Sequence, residues 1–269
     1  MKQKLDAEEI KKLELAMMLE VAEFCRQNGL RIYLCGGTLL GAIRHKGFIP
    51  WDDDVDMCMP RPDYEQFIRT FQSPYPYMQL HSELTPGYFF TCARLHDMRT
   101  SIDRFYMGGS QNEHIWIDIM PVDGLPEDLQ EVDAIYKKVE FYRRLLRMAD
   151  AKLGRGKTLL HKLLKYPLKP VLNLIGKRRI FAWIDKISRQ YPYETSEYVG
   201  AISGGRYGKG EQMRKQEYET AAEVQFEGHA FPAFSCWDSY LHNIYGDYML
   251  LPPVDKRENH ELEVYIEKE

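Results

Sequence analysis

Two carboxylates two residues apart, in a run that is otherwise apolar, constrain this chain more than any other feature. From Asp54 to Met59 acidic residues alternate with apolar ones before Cys58 and Met59 close the run. That is the period-two pattern of a strand with one buried face. A strand over 54–59 would hold Asp54 and Asp56 on the same side, in one small volume. Near a core this is costly, because like charges raise each other's pKa. A divalent cation removes the conflict, and hard Mg2+ or Mn2+ takes oxygen ligands while leaving positions open to phosphate. A solvated acidic edge accounts for the same letters equally well. An EF-hand does not: with Asp52, Asp54 and Asp56 in its first ligand positions, Met57 falls where glycine is needed and Asp63 where glutamate is needed.

The residues just upstream sharpen the reading. Arg31 to Cys35 reads as a short strand, Gly36-Gly37-Thr38 as a turn, and Leu39 to Arg44 as a helix broken by Gly47, Pro50 and Trp51. The glycines do not fit a dinucleotide fingerprint. Gly36 and Gly41 have P-loop spacing, but Ala42-Ile43 stands where Lys-Ser/Thr is required. A Gly-Gly-Thr turn lets backbone amides approach an anion at a helix N-terminus, and Thr38 adds a hydroxyl. A tight packing turn is the plainer alternative. A Gly-Gly turn followed by an Asp-x-Asp strand is the general pattern of the nucleotidyltransferase superfamily, which places a third carboxylate on a later strand. Here Ile115 to Met120 reads as that strand, with Asp118 between Ile117 and Ile119. A buried aspartate needs a partner or a metal. Asp123, past Pro121 and beside Gly124, reads as a turn residue.

Elsewhere the pattern is strand–turn–helix–strand at the front and helices later, which indicates α+β: a mixed sheet flanked by helices, with a helical insertion. Asp6 and Glu9 have capping-box spacing for a helix ending at Gly29. Further helices are predicted over 62–71, 127–149, 157–190 and 235–245, and strands over 89–95, 198–203 and 226–234, with an irregular last segment. We divide the chain into a catalytic core over 1–130, a helical, basic subdomain over 131–195 and a C-terminal segment over 196–269 that completes the site. With 269 residues and 44% apolar side chains there is enough for a core. The net charge of −4 gives no reason to expect nucleic acid. No stretch approaches the ~20 apolar residues of a membrane span. The charged start, Met1 to Lys12, lacks a signal-peptide core, and the five cysteines form no CxxC pair. We therefore expect reduced thiols and a cytoplasmic location.

The segment GGTLLGAIRHKGFIPWDDDVD closely resembles the signature of the LicD family, which includes the fukutin-related transferases. The resemblance continues in IDIMPVDGLP and resumes in YGDYMLLPPVDKRENH, Tyr245 to His260, with weak cover over about 130–220. It implies a nucleotidyltransferase-like fold and transfer of a phosphorylated alcohol, such as phosphocholine, from a CDP-activated donor to a glycan or its lipid-linked precursor. It also implies that Asp54, Asp56 and Asp118 bind Mg2+ or Mn2+. Attack by an acceptor hydroxyl on the phosphorus that bears the alcohol would release CMP, with the ion stabilising the leaving oxygen and Asp118 as candidate base. Gly36, Gly37, Thr38, Arg44, Lys46, Trp51, Arg94, Arg257 and His260 are candidate donor-binding residues. A choline head needs aromatic faces, and Tyr88, Phe89, Phe90, Trp116 and Tyr248 lie near the motifs.

Residues 151–184 carry Lys152, Arg155, Lys157, Lys162, Lys165, Lys169, Lys177, Arg178 and Arg179 among leucines, with no acidic residue. Such a segment suits an anionic membrane surface on the inner face, a phosphate-rich acceptor, or simply a basic helical face. Two rivals to the CDP-alcohol transferase share these residues. One is a true nucleotidyltransferase, which would release pyrophosphate; the other is a non-catalytic glycan- or membrane-binding relative.

Overall fold

The structure is a computed structural model that describes residues 2–103, 113–150, 169–253, 257 and 263–267. Its centre is a mixed sheet in the order β1 (Lys2–Lys4), β11 (Glu263–Glu267), β5 (Ala93–Asp103), β6 (Glu113–Leu125), β3 (Asp56–Pro60), β2 (Tyr33–Leu34). β3 and β6 run parallel, and the other pairs along this path are antiparallel. β4 (Met78–His81) shares the edge of β5 with β11, while β7 (Tyr198–Gly200) extends β6 and pairs with β8 (Met213–Arg214). This is the expected α+β architecture, a mixed sheet flanked by helices.

β6 shows how the sequence makes two faces. Ile115, Ile117 and Ile119 are buried, whereas His114, Trp116, Asp118 and Met120 on the other face are half-buried. The isoleucines join the main core with Met17, Met18 and Val21 of α1 (Ala7–Asn28). α1 begins with the expected capping box: the Glu9 amide donates to Asp6 and the Asp6 amide to the Glu9 carboxylate. Gly29 ends it in the left-handed conformation. α2 (Gly36–His45) and α3 (Arg61–Thr70) flank β3. A smaller core lies between α4 (Leu129–Asp150) and α5 (Lys177–Ser188), where Val132, Tyr136 and Val139 meet Ile180 and Ile184. The short α6 (Lys215–Glu219) leads into β9 (Ala221–Phe226) and β10 (His229–Phe234), and α7 (Trp237–Tyr245) follows.

Several sequence expectations need correction. The strand read over 226–234 is the second arm of a hairpin. Glu227 and Gly228 both have positive φ, the turn that matches the twist of paired strands. The last segment is not wholly irregular, since β11 joins the sheet. The acidic strand begins at Asp56, not Asp54, because the β6 and β2 ladders start no earlier than Asp56 and Met57. Gly36 and Gly37 are the first residues of α2 rather than a turn before it. Asp123 is not a turn residue. It lies within β6, 2% exposed, and accepts two hydrogen bonds of 2.6 Å from Arg61 Nε and Nη2. Pro121 continues the ladder opposite Met59. Gly124 is required for close approach, since a Cβ there would come within 2.4 Å of Ser196 Oγ and 2.6 Å of the Tyr191 carbonyl.

Removing one partner of a buried ion pair leaves an uncompensated charge, so Asp123→Ala is expected to destabilise the protein by about 3–5 kcal/mol. Arg61→Met/Asp123→Leu should recover most of that loss. Urea denaturation of the three proteins tests both expectations.

Candidate active site

The parallel register of β3 and β6 places Asp56 directly opposite Asp118, and the antiparallel register of β5 and β6 places Arg94 opposite Asp118. Asp56, Asp118 and Arg94 therefore form one row across three adjacent strands, on the face that the isoleucines do not use. The row is tied together by a charge-assisted pair: Arg94 Nε donates to Asp118 Oδ1 at 2.6 Å, and Cys92 Sγ lies 3.3 Å from the same oxygen. Arg94, a candidate donor clamp, is thus the partner that the half-buried Asp118 requires.

Asp56 is the strained member of the row. Burial first, then the charges of Asp54 and Asp118, push its carboxyl well above the ordinary range, and only Arg206 acts against them among the larger influences. Asp54 lies in the segment just before β3 and still acts on Asp56 through space. α2 supplies the rest of the setting. Gly36 has φ +54°, and a Cβ there would sit 3.1 Å from Asp56 Oδ2. One on Gly37 would sit 2.8 Å from Asp52 Oδ2. The glycines thus let the positive end of α2 close on the acidic segment. Thr38 is buried, and its Oγ1 accepts the Asp56 amide at 2.8 Å. In this structure it positions the Asp56 backbone.

Other predicted residues join the first motif to the C-terminal one. Arg44 Nη1 donates to the Tyr248 carbonyl at 2.7 Å. The Arg257 guanidinium lies 4.2 Å from the Trp51 ring centre, and its Nε donates to the Pro252 carbonyl. Lys46 is exposed at the end of α2 with φ +61°. His260 and residues 151–168 of the basic stretch lie outside the described residues.

Three residues escaped the sequence reading. Arg206 is carried by Gly204-Gly205, which pack where a Cβ would strike Met120 and the Ala201 carbonyl. Buried Glu211 fixes this loop by accepting the Arg206 and Tyr207 amides, and burial pushes its carboxyl up to about 7. Arg206 also lines a cavity of about 750 Å3 with Tyr136, Arg143, Arg144 and Arg147 of α4. A second Gly-Gly next to an arginine, SGGRYGKG, was the available signal. The third is Glu14 of α1, 1% exposed, whose Oε2 has no hydrogen-bond partner among the described residues. Burial, then Asp54, Asp53 and Asp52, raise its carboxyl well above the ordinary range.

The oxygen-only donors and the excess negative charge at Asp56 fit a divalent ion that neutralises neighbouring carboxylates. Among the described residues no three His, Cys, Asp or Glu side chains already enclose a common point. A three-carboxylate set would need a side-chain rearrangement, such as Asp118 leaving Arg94.

The family model described as the LicD/FKTN/FKRP nucleotidyltransferase domain matches residues 29–147. The chain is 32% identical over 253 residues to the lipopolysaccharide cholinephosphotransferase LicD of Haemophilus influenzae, covering 90% of this chain and 91% of that one. It belongs to the LicD family. An uncharacterised protein of Rickettsia prowazekii is 30% identical over 132 residues, covering 46% of this chain and 45% of its own. The family match contains the whole row of Asp56, Arg94 and Asp118 together with α2.

Glu14 gives a pH test. Its folded state holds a proton over a range where the unfolded chain has lost it. That contribution to stability is full below the unfolded pKa and declines as pH rises toward the raised folded one. Glu14→Gln, which mimics the protonated form, should be more stable than the natural protein at about pH 8 and lose this advantage near about pH 4. Urea midpoints across that range provide the measurement.

Proposed function

We propose that the chain transfers a phosphorylated alcohol, phosphocholine in the first instance, from a CDP-activated donor to a cell-surface glycan or its lipid-linked precursor, and releases CMP. The observation that carries this reading is the Asp56–Asp118 register beneath the N-terminus of α2, in a chain aligned over nine-tenths of its length with a lipopolysaccharide cholinephosphotransferase. Charge on a transferring phosphoryl group is spread over its oxygens, so the protein's task is positioning and electrostatic compensation. Asp56 and Asp118, with Asp54, would hold Mg2+ or Mn2+, which would supply positive charge to compensate the diphosphate and its leaving group.

The remaining work falls to side chains. Arg206 acts on Asp56 electrostatically from the 203–210 loop and Arg94 pairs with Asp118 from β5, so these two cations are the candidates to meet the donor's phosphates. Arg94 and Cys92 already satisfy Asp118. Asp118, oriented by these contacts, is the candidate to accept or orient the acceptor hydroxyl's proton. Arg44 and Arg257 hold the C-terminal segment against Trp51, which closes the site on the α2 side.

Phosphorus NMR of reactions with CDP-choline and a lipopolysaccharide acceptor tests the assignment. CMP should accumulate with glycan-bound phosphocholine. Asp54→Asn and Asp56→Asn should each lower turnover by at least about a hundredfold, and EDTA should abolish it. Pyrophosphate formed from CTP and phosphocholine, with no glycan product, would assign the chain to true nucleotidyl transfer instead.

We also propose that the protein works at an anionic membrane surface. The described part of the basic stretch exposes Val171 and Leu174, the latter by 86%, among Lys169, Lys177, Arg178 and Arg179. No described helix is long and apolar enough to cross a membrane. At about 1 kcal/mol per cation near the surface, the protein should sediment with anionic liposomes at low salt and be released at high salt. Protein left in the supernatant with anionic liposomes at low salt refutes this.

A further inference from the structure

The guanidinium of Arg94 occupies a slot built for a cation. Its central carbon lies 4.0 Å from the centre of the Phe90 ring and 4.5 Å from that of Trp116, so two aromatic faces converge on one charge. The Asp118 carboxylate closes the slot at 2.6 Å from Arg94 Nε. Trp116 is the next residue along the same face of β6 as Asp118, opposite His96 of β5. Phe90 is 42% exposed and the Arg94 side chain 14%, so the slot reaches solvent through a narrow opening. The Tyr88 ring packs 5.1 Å from Phe90, and its hydroxyl donates to the Cys92 carbonyl, which fixes the loop that carries Phe90. Two aromatic faces with a carboxylate are the recognition chemistry of a quaternary ammonium. Here that chemistry is filled by the protein's own side chain.

We propose that the trimethylammonium head of a choline donor takes the place of the Arg94 guanidinium between Phe90 and Trp116, and that Arg94 moves to the donor's diphosphate. This rests on the phosphocholine reading above. The exchange conserves charge: one cation leaves the slot as another enters, and Asp118 is never left facing two bare aromatic rings alone. It also fits the chain of atoms in the donor. Only two carbons and an ester oxygen separate the nitrogen of phosphocholine from its phosphorus, so a head group in the slot leaves the phosphorus beside Asp118 and Asp56. A primary ammonium is more strongly hydrated and gains less from aromatic faces. A polyol phosphate has no cation and gives Arg94 no reason to leave. The slot is therefore a selectivity filter for the head group, set beside the reacting phosphate.

Calorimetry with CDP-choline, CDP-glycerol and CDP separates head-group recognition from the rest of the donor. The quantity read is the affinity for CDP-choline, or for CDP-glycerol, relative to that for CDP. Phe90→Leu keeps an apolar side chain at a half-exposed position but removes the ring. It should lower the choline ratio by about three- to thirtyfold, leave the glycerol ratio unchanged, and be rescued by Phe90→Tyr. Arg94→Gln removes the competing cation and should raise the choline ratio while leaving the glycerol ratio unchanged. An unchanged choline ratio in Phe90→Leu, an equal fall in both ratios, or a lower choline ratio in Arg94→Gln overturns the slot. Natural protein that transfers phosphocholine while Phe90→Leu keeps its choline ratio defeats the slot alone. Natural protein that transfers from CDP-glycerol and not from CDP-choline defeats the phosphocholine reading itself.

Discussion

Parallel pairing of β3 with β6 is the constraint on which the site depends. It sets Asp56 and Asp118 side by side, an arrangement that would push two strands apart were nothing else present. Each neighbouring device answers that repulsion. Arg94 comes from the opposite strand to hold Asp118, Thr38 pins the Asp56 backbone, and the glycines at the start of α2 let a helix terminus approach. The isoleucines on the reverse face, together with the buried Arg61–Asp123 pair farther along β6, keep the strands in register. One face of β6 thus supplies cohesion while the other carries the charges of the candidate site.

Much of this was legible in the sequence, and the misses have identifiable causes. The capping box of α1 and the alternation of β6 are local signals, and both appear where periodicity put them. Asp118 could be singled out because it interrupts isoleucines. Asp123 could not, because Pro121 and Gly124 carry turn signals, while the actual demand at Gly124 is space for the Tyr191 and Ser196 backbone and hydroxyl. The β9–β10 turn hid behind Glu227, a residue that seldom takes positive φ, ahead of a glycine that does.

Arg206 and Glu14 were invisible for a different reason. Neither belongs to a spacing pattern shared with the aspartates. Each reaches the site only because a distant element folds over it, the 203–210 loop in one case and α1 in the other. Arg44 and Arg257 were found by motif, but their geometry differs from a motif's simplest reading. Arg44 donates to the His45 ring and the Tyr248 carbonyl, and Arg257 donates to the Pro252 carbonyl and stacks over the Trp51 ring, so they brace one signature segment against another.

The span of those braces has a kinetic meaning. Arg44 and the Tyr248 carbonyl are separated by 204 positions along the chain, and Arg31, which pairs with Glu219 at 2.6 Å, lies 188 positions from it. The β9–β10 hairpin, by contrast, joins residues a few positions apart. Closing a long loop is entropically costly and is rewarded only when the last contact forms. The hairpin is thus suited to early structure formation. The row of Asp56, Asp118 and Arg94, whose surroundings come from such distant segments, is suited to later completion.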